Sequence, residues 1–114
     1  MIKKLSKELY NTLTINEIKG KWLSLMKNKE YVINYLNDKK LSKKEIALIV
    51  AEHILIKENM NKQIKSYENN ILLTKEILNE VKSNNEDVVY YTKNINEYEM
   101  RINELRTNLK NIYA

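Results

Sequence analysis

Residues 60–109 read MNKQIKSYENNILLTKEILNEVKSNNEDVVYYTKNINEYEMRINELRTNL. In the first half, Met60, Ile64, Tyr67, Ile71, Thr74, Leu78 and Val81 recur at alternating steps of four and three, the spacing of a helix face that pairs with another helix. The second half repeats the pattern with Val88, Tyr91, Ile95, Tyr98, Ile102, Leu105, Leu109 and Ile112. Between them lies SNNED, residues 83–87. Asparagine tolerates the left-handed conformation that ends helices, and Glu86 and Asp87 suit the positive end of a new one. If the chain folds back there, Val81 faces Val88, Leu78 faces Tyr91, Thr74 faces Ile95, Ile71 faces Tyr98, Tyr67 faces Ile102, Ile64 faces Leu105 and Met60 faces Leu109. Each step along one seam is matched by an equal step along the other. A single unbroken helix would instead carry Asn85, Thr92, Glu99 and Arg106 in its seam. The stretch therefore reads as an antiparallel helical hairpin. The same pairing is open to two copies of the chain, so a homodimer is an alternative.

Working outward, the 114 residues contain no proline, no cysteine and one glycine, Gly20. Strand-rich folds need turn residues that this chain lacks. The expected fold class is all-α, with N-terminal helices packed on the long hairpin. Residues 1–114 are expected to form one helical domain, with basic helices in 1–42 and the hairpin in 43–114, turning near 83–87. A first helix fits Ile2 to about Asn11, with Ile2, Leu5 and Leu9 on one face. TINE (14–17) reads as a capping box, Thr14 with Glu17, and SKKE (42–45) as a second, Ser42 with Glu45. Between them Ile15, Ile18, Trp22, Leu25, Val32 and Leu36 keep helical spacing across a polar Lys29, with a break available at KNK (27–29). Gly20 offers another helix a close approach. The long helix is expected from about Lys43 to Lys82, and the last from about Glu86 to Tyr113.

At about 1.5 Å per residue the last helix is the shorter of the two. It is expected to end near Lys57 of its partner, leaving residues 43–56 uncovered. That part contains IALIVAEHILI (46–56), apolar except for Glu52 and His53. Such a run must be buried by something else, and the N-terminal helices are the candidates. It is too short for a membrane span, and MIKKLSKELY lacks the apolar core of a signal peptide. A cytoplasmic protein without membrane contact is the expectation, in keeping with the absence of cysteine.

SKKEIALIVAEHI resembles the opening helix of a helix-turn-helix domain through KEIA. The turn and second helix that the resemblance implies do not follow; the apolar run leads into the hairpin seam instead.

Chemistry is sparsely represented. His53 has Val50, Ile49, Ile56 and Lys57 at the positions where a helical metal pair needs its second ligand, so it reads as a structural or surface histidine. Glu97, Glu99 and Glu104 are interleaved with Lys93, Arg101 and Arg106, and Glu97 can pair with Lys93 and Arg101 along one face. One glycine permits no phosphate-binding loop. No catalytic, metal or cofactor site is expected, and the chain is not expected to be an enzyme.

Charge is uneven. Residues 1–44 hold eleven lysines against Glu8, Glu17, Glu30 and Asp38, so the whole net excess of +5 lies in this part. Lys39, Lys40, Lys43 and Lys44 cluster where a helix begins, the end that favours anions. Tyr35 and Tyr31 stand one and two turns before Lys39. Together these six are candidates for binding nucleic acid or another anion, mainly through phosphate. No arginine precedes Arg101, so bidentate reading of guanine is not available to them. A second candidate surface is apolar: Leu72, Leu73, Ile77, Val89 and Tyr90 lie off the seams near the hairpin turn and read as a partner contact.

The expected function is binding without chemistry, with another protein as partner. In size and composition the chain is similar to accessory proteins of phages and mobile elements, including inhibitors of host defence nucleases. That similarity implies steric blocking or interference with assembly, because a net-basic chain mimics nucleic acid poorly. The alternatives are a nucleic-acid-binding protein using the lysine cluster, and a self-assembling coiled-coil scaffold.

Overall fold

The computed structural model describes residues 1–81 and 85–114. Among them are five α-helices: α1 (Ile2–Thr12), α2 (Ile15–Leu25), α3 (Lys29–Asp38), α4 (Lys43–Glu80) and α5 (Asn85–Ile112). The chain divides into two compact units, one of Met1–Asn59 with Leu109–Ala114 and the other of Met60–Asn108. The turn expected near 83–87, and the expected end of the long helix at Lys82, involve residues 82–84, which lie outside the described residues; α4 runs to Glu80 and α5 begins at Asn85, so residues 85–87 are helical.

In the first unit, side-chain caps set the starts of three helices. Thr14 Oγ1 accepts from the Glu17 N–H at 3.2 Å, and Glu17 Oε1 accepts from the Thr14 N–H at 3.1 Å. Both bonds of the capping box thus satisfy donors that the first turn of α2 leaves free. Ser42 and Glu45 do the same for α4, at 3.1 and 3.4 Å. Asn28 caps α3 by accepting from the Tyr31 N–H at 3.0 Å. The break between α2 and α3 falls where KNK allows it, with Met26 extended. Lys29, the polar residue in an otherwise apolar row, has a use here. Its ammonium donates to the carbonyls of Leu23 at 2.6 Å and Met26 at 3.4 Å, closing the negative end of α2.

The core of this unit is Leu9, Ile18, Trp22, Val32, Ile46, Ala47, Val50 and Ala51. The four residues from α4 are all at 0 % exposure. The apolar run is thus covered by α1, α2 and α3, and Ala47 and Ala51 leave room for that cover. Cover is not complete on every side, however. Leu48 is 41 % and Ile56 47 % exposed, because three helices leave part of the circumference of α4 open. Trp22 stands edge-on to Tyr35, with ring centroids 5.6 Å apart. Its Nε1 is buried and has no hydrogen-bond partner among the described residues.

Two expectations are corrected. Gly20 brings no helix close: a Cβ added there would meet nothing within 4 Å. Nor does the chain stop short of residues 43–56. α5 ends at Ile112, but the next residue, Tyr113, whose N–H still donates to the Leu109 carbonyl at 2.9 Å, reaches His53 with its side chain. There it pairs with Met26 in an isolated antiparallel bridge. The Lys27 N–H donates to the Ile112 carbonyl at 3.1 Å, and the Ala114 N–H donates to Leu25 at 2.9 Å.

The second unit pairs α4 with α5 along the expected seams. Ile64, Thr74, Ile95 and Ile102 are buried, and Tyr67, Ile71, Leu78, Val88, Tyr91, Tyr98 and Leu105 are half-buried. The Tyr67 and Tyr98 rings meet at 5.9 Å. Thr74 is accommodated because its hydroxyl donates to the Asn70 carbonyl at 2.7 Å, so no polar atom is stranded in the seam. The ion pair among the described residues is Arg106 with Glu68 at 2.7 Å across the hairpin, in place of the expected Glu97 pairs. It is half exposed on both sides and contributes about 0–1 kcal/mol.

Two substitutions test this account. Gly20→Ala should raise stability by about 0.5–1 kcal/mol in chemical denaturation, since it removes backbone freedom in a helix interior without a clash. A loss would mean that a helix does pack on Gly20. Ile46→Ala should cost about 2–5 kcal/mol, the range for a fully buried aliphatic side chain truncated in a core.

Candidate functional site

The lysine cluster of the α3–α4 junction is divided: Lys39 stands with Tyr35 and Tyr31, while Lys43 and Lys44 turn toward α1. Lys39 follows the last turn of α3, where a cation suits the helix end, and its Nζ lies 5.0 Å from the centre of the Tyr35 ring. That ring also stands against Trp22 and is half-buried. Tyr31 beside it, at 6.1 Å, is 56 % exposed. Lys40 is exposed in the linker. Lys43 turns to α1, with its Nζ 4.7 Å from the centre of the Tyr10 ring.

Lys44 shares this neighbourhood. It lines an open groove of about 660 Å³ with Leu48 from α4 and Lys3, Ser6, Lys7, Tyr10 and Asn11 from α1. The α1 residues follow a helical spacing along the flank of the helix next to its inward row of half-buried Ile2 and Leu5 and buried Leu9. Spacing alone could have marked Lys3, Lys7 and Tyr10 as one face. What it could not give is their place beside Lys44, which depends on how α1 docks. The groove contains three lysines and no carboxylate. Glu17, near enough to Lys43 to be stabilised by it, has its carboxyl held below its ordinary value of 4.5, first by the Thr14 N–H and hydroxyl and then by that lysine; it does not line the groove.

In the second unit the five off-seam residues are all solvent-exposed: Val89 at 68 %, Leu72 at 61 %, Tyr90 at 60 %, Leu73 at 58 % and Ile77 at 38 %. Leu73 and Ile77 are one turn apart on α4, while Leu72 falls on another flank. The Tyr90 ring rests edge-on against Tyr91, 5.2 Å away.

His53 contacts the C-terminal residues. Its Nδ1 is 3.0 Å from the Tyr113 hydroxyl, and the rings meet at 5.8 Å. Tyr113 is only 4 % exposed, and burial pushes its hydroxyl pKa up. Burial lowers that of His53 from 6.5, against a smaller opposing effect of Glu52. Among the described residues no three His, Asp or Glu side chains gather to hold a metal ion, and no helix is long and apolar enough to cross a membrane.

No protein-family model, curated protein or solved structure matches the chain.

The His53–Tyr113 contact predicts a pH dependence with a definite sign. Because the folded form holds His53 below 6.5, the unfolded chain binds the proton more readily. The stability that neutral His53 contributes is complete above 6.5 and is lost as pH falls through the lowered value. Thermal melts should therefore shift down between about pH 7 and about pH 5, and less so in His53→Gln. An equal downward shift in the variant would assign the effect elsewhere. Tyr113→Phe at neutral pH should cost about 0.5–1.5 kcal/mol, the net value of one hydrogen bond.

Proposed function

We propose that this protein acts by binding another protein, without chemistry of its own, and that it docks through the flanks of the hairpin formed by α4 and α5 in the second unit. The observation that carries this reading is the exposure of Leu72, Leu73, Ile77, Val89 and Tyr90. Five large side chains on α4 and α5 keep apolar surface in water. Covering each fully would contribute about 1.5–3 kcal/mol, and such clusters are characteristic of interfaces. Tyrosine adds a rigid ring with a polar tip, a combination common at binding hot spots.

The kind of partner rests on analogy of size and composition alone. On that analogy the target is a host protein such as a defence nuclease, blocked by occlusion. With a net charge of +5 the chain is poorly suited to standing in for nucleic acid, which favours occlusion over mimicry.

The test is comparative capture from the cells that make the protein. Tagged wild type should retain a protein partner after nuclease digestion. A Leu73→Glu, Ile77→Glu, Tyr90→Glu variant with unchanged helical circular dichroism should lose it. Retention by the variant would move the interface off the hairpin, and loss on nuclease digestion would make the association indirect. Light scattering should give one chain per particle for both proteins. A wild-type dimer that the variant dissociates would assign the surface to self-assembly instead.

A further inference from the structure

We propose that the groove between α1 and the first turns of α4 binds single-stranded nucleic acid, with Lys3, Lys7 and Lys44 taking phosphates and Tyr10 taking a base. The site is independent of the hairpin surface and lies in the other unit.

Charge complementarity is the first support. The groove is walled by three ammonium groups with no carboxylate between them, and Lys43, over the Tyr10 ring, adds a fourth cation at its edge. Glu17 offsets Lys43 in part, but Lys3, Lys7 and Lys44 have no ion-pair partner within 4.0 Å among the described residues. Lys3 and Lys7 are one turn apart on α1, about 6 Å along its axis, and Lys44 faces them from α4. An anion with several charges in sequence can engage all three.

The neutral lining selects among polyanions. Tyr10, 42 % exposed, supplies aromatic surface, and base–aromatic stacking is tolerant of sequence. Asn11 beside it can both donate and accept, as base edges require. Leu48 is the one aliphatic side chain in the lining. An acidic amphipathic helix would need a row of such positions, and a lipid surface would need a broad apolar face. The bases of duplex nucleic acid are stacked inward and could not use Tyr10. The absence of arginine from the lining makes phosphate contact, not base identity, the main source of affinity.

The experiment uses the full chain and a short fluorescein-labelled oligothymidylate, read by anisotropy over a range of salt. Wild type should bind at low salt and weaken steeply as salt rises. Lys3→Gln, Lys7→Gln, Lys44→Gln together should weaken binding at least about tenfold. They should also reduce the slope of log affinity against log salt by about two, at about 0.7 for each phosphate no longer neutralised. Lys→Arg at the same positions should restore binding, which a misfolded variant could not do. Tyr10→Ala should weaken it at least about fivefold and Tyr10→Phe much less, in line with about 1–3 kcal/mol per stacked base. Lys39→Gln, Lys40→Gln should have a smaller effect than the groove triple. The proposal is overturned if wild type does not bind, if the groove triple binds as wild type does, or if a duplex of equal length or polyglutamate binds more tightly than the single strand.

Discussion

Ile46, Ala47, Val50 and Ala51 have no surface in contact with water, and three short helices are what remove it. Helices α1, α2 and α3 have 11, 11 and 10 residues. Such lengths are marginal alone in water, so their helicity depends on docking against α4. The dependence is mutual, because α4 cannot leave that row in solvent. Capping by Thr14, Asn28 and Ser42 sets where the helices start, and the ammonium of Lys29 closes α2. Burial of the row from α4 decides that they hold together.

The same docking produces the basic groove. Packing Ile2, Leu5 and Leu9 toward α4 turns the adjacent flank of α1, with Lys3, Lys7 and Tyr10, alongside Lys44 and Leu48. A core contact thereby assembles a charged surface from two stretches far apart in sequence. The hairpin surface arises differently. Its exposed residues are those that a two-helix seam has no partner for: two helices in contact bury one stripe each, and any large apolar side chain outside the stripe stays in water. One surface is therefore cationic and sensitive to salt, the other apolar and nearly insensitive.

Much of this is legible in the amino-acid sequence. The hairpin seams can be paired from residue numbers because antiparallel helices of equal pitch advance at equal rates. Both capping boxes can be read because their geometry is local, spanning four residues. Thr74 is the visible irregularity in the seam, and the hydroxyl bond to Asn70 that resolves it is also local. The exposure of Leu72, Leu73, Ile77, Val89 and Tyr90 follows from their phase relative to the seam.

What sequence alone determined is thus whatever depends on separations of a few residues or on the matching of two regular patterns: the helices, their caps, the buried stripes and the hairpin. Tertiary structure decided how far α1, α2 and α3 cover α4, leaving Leu48 and Ile56 exposed. It decided that Lys44 belongs with Lys3 and Lys7 while Lys39 sits on Tyr35. It also brought the Tyr113 side chain onto His53, a contact that the pairing of the helical seams does not describe. These depend on the positions and angles at which helices dock, which side-chain shapes across the whole core settle together. A pattern of apolar residues states which face is buried, not which neighbour buries it.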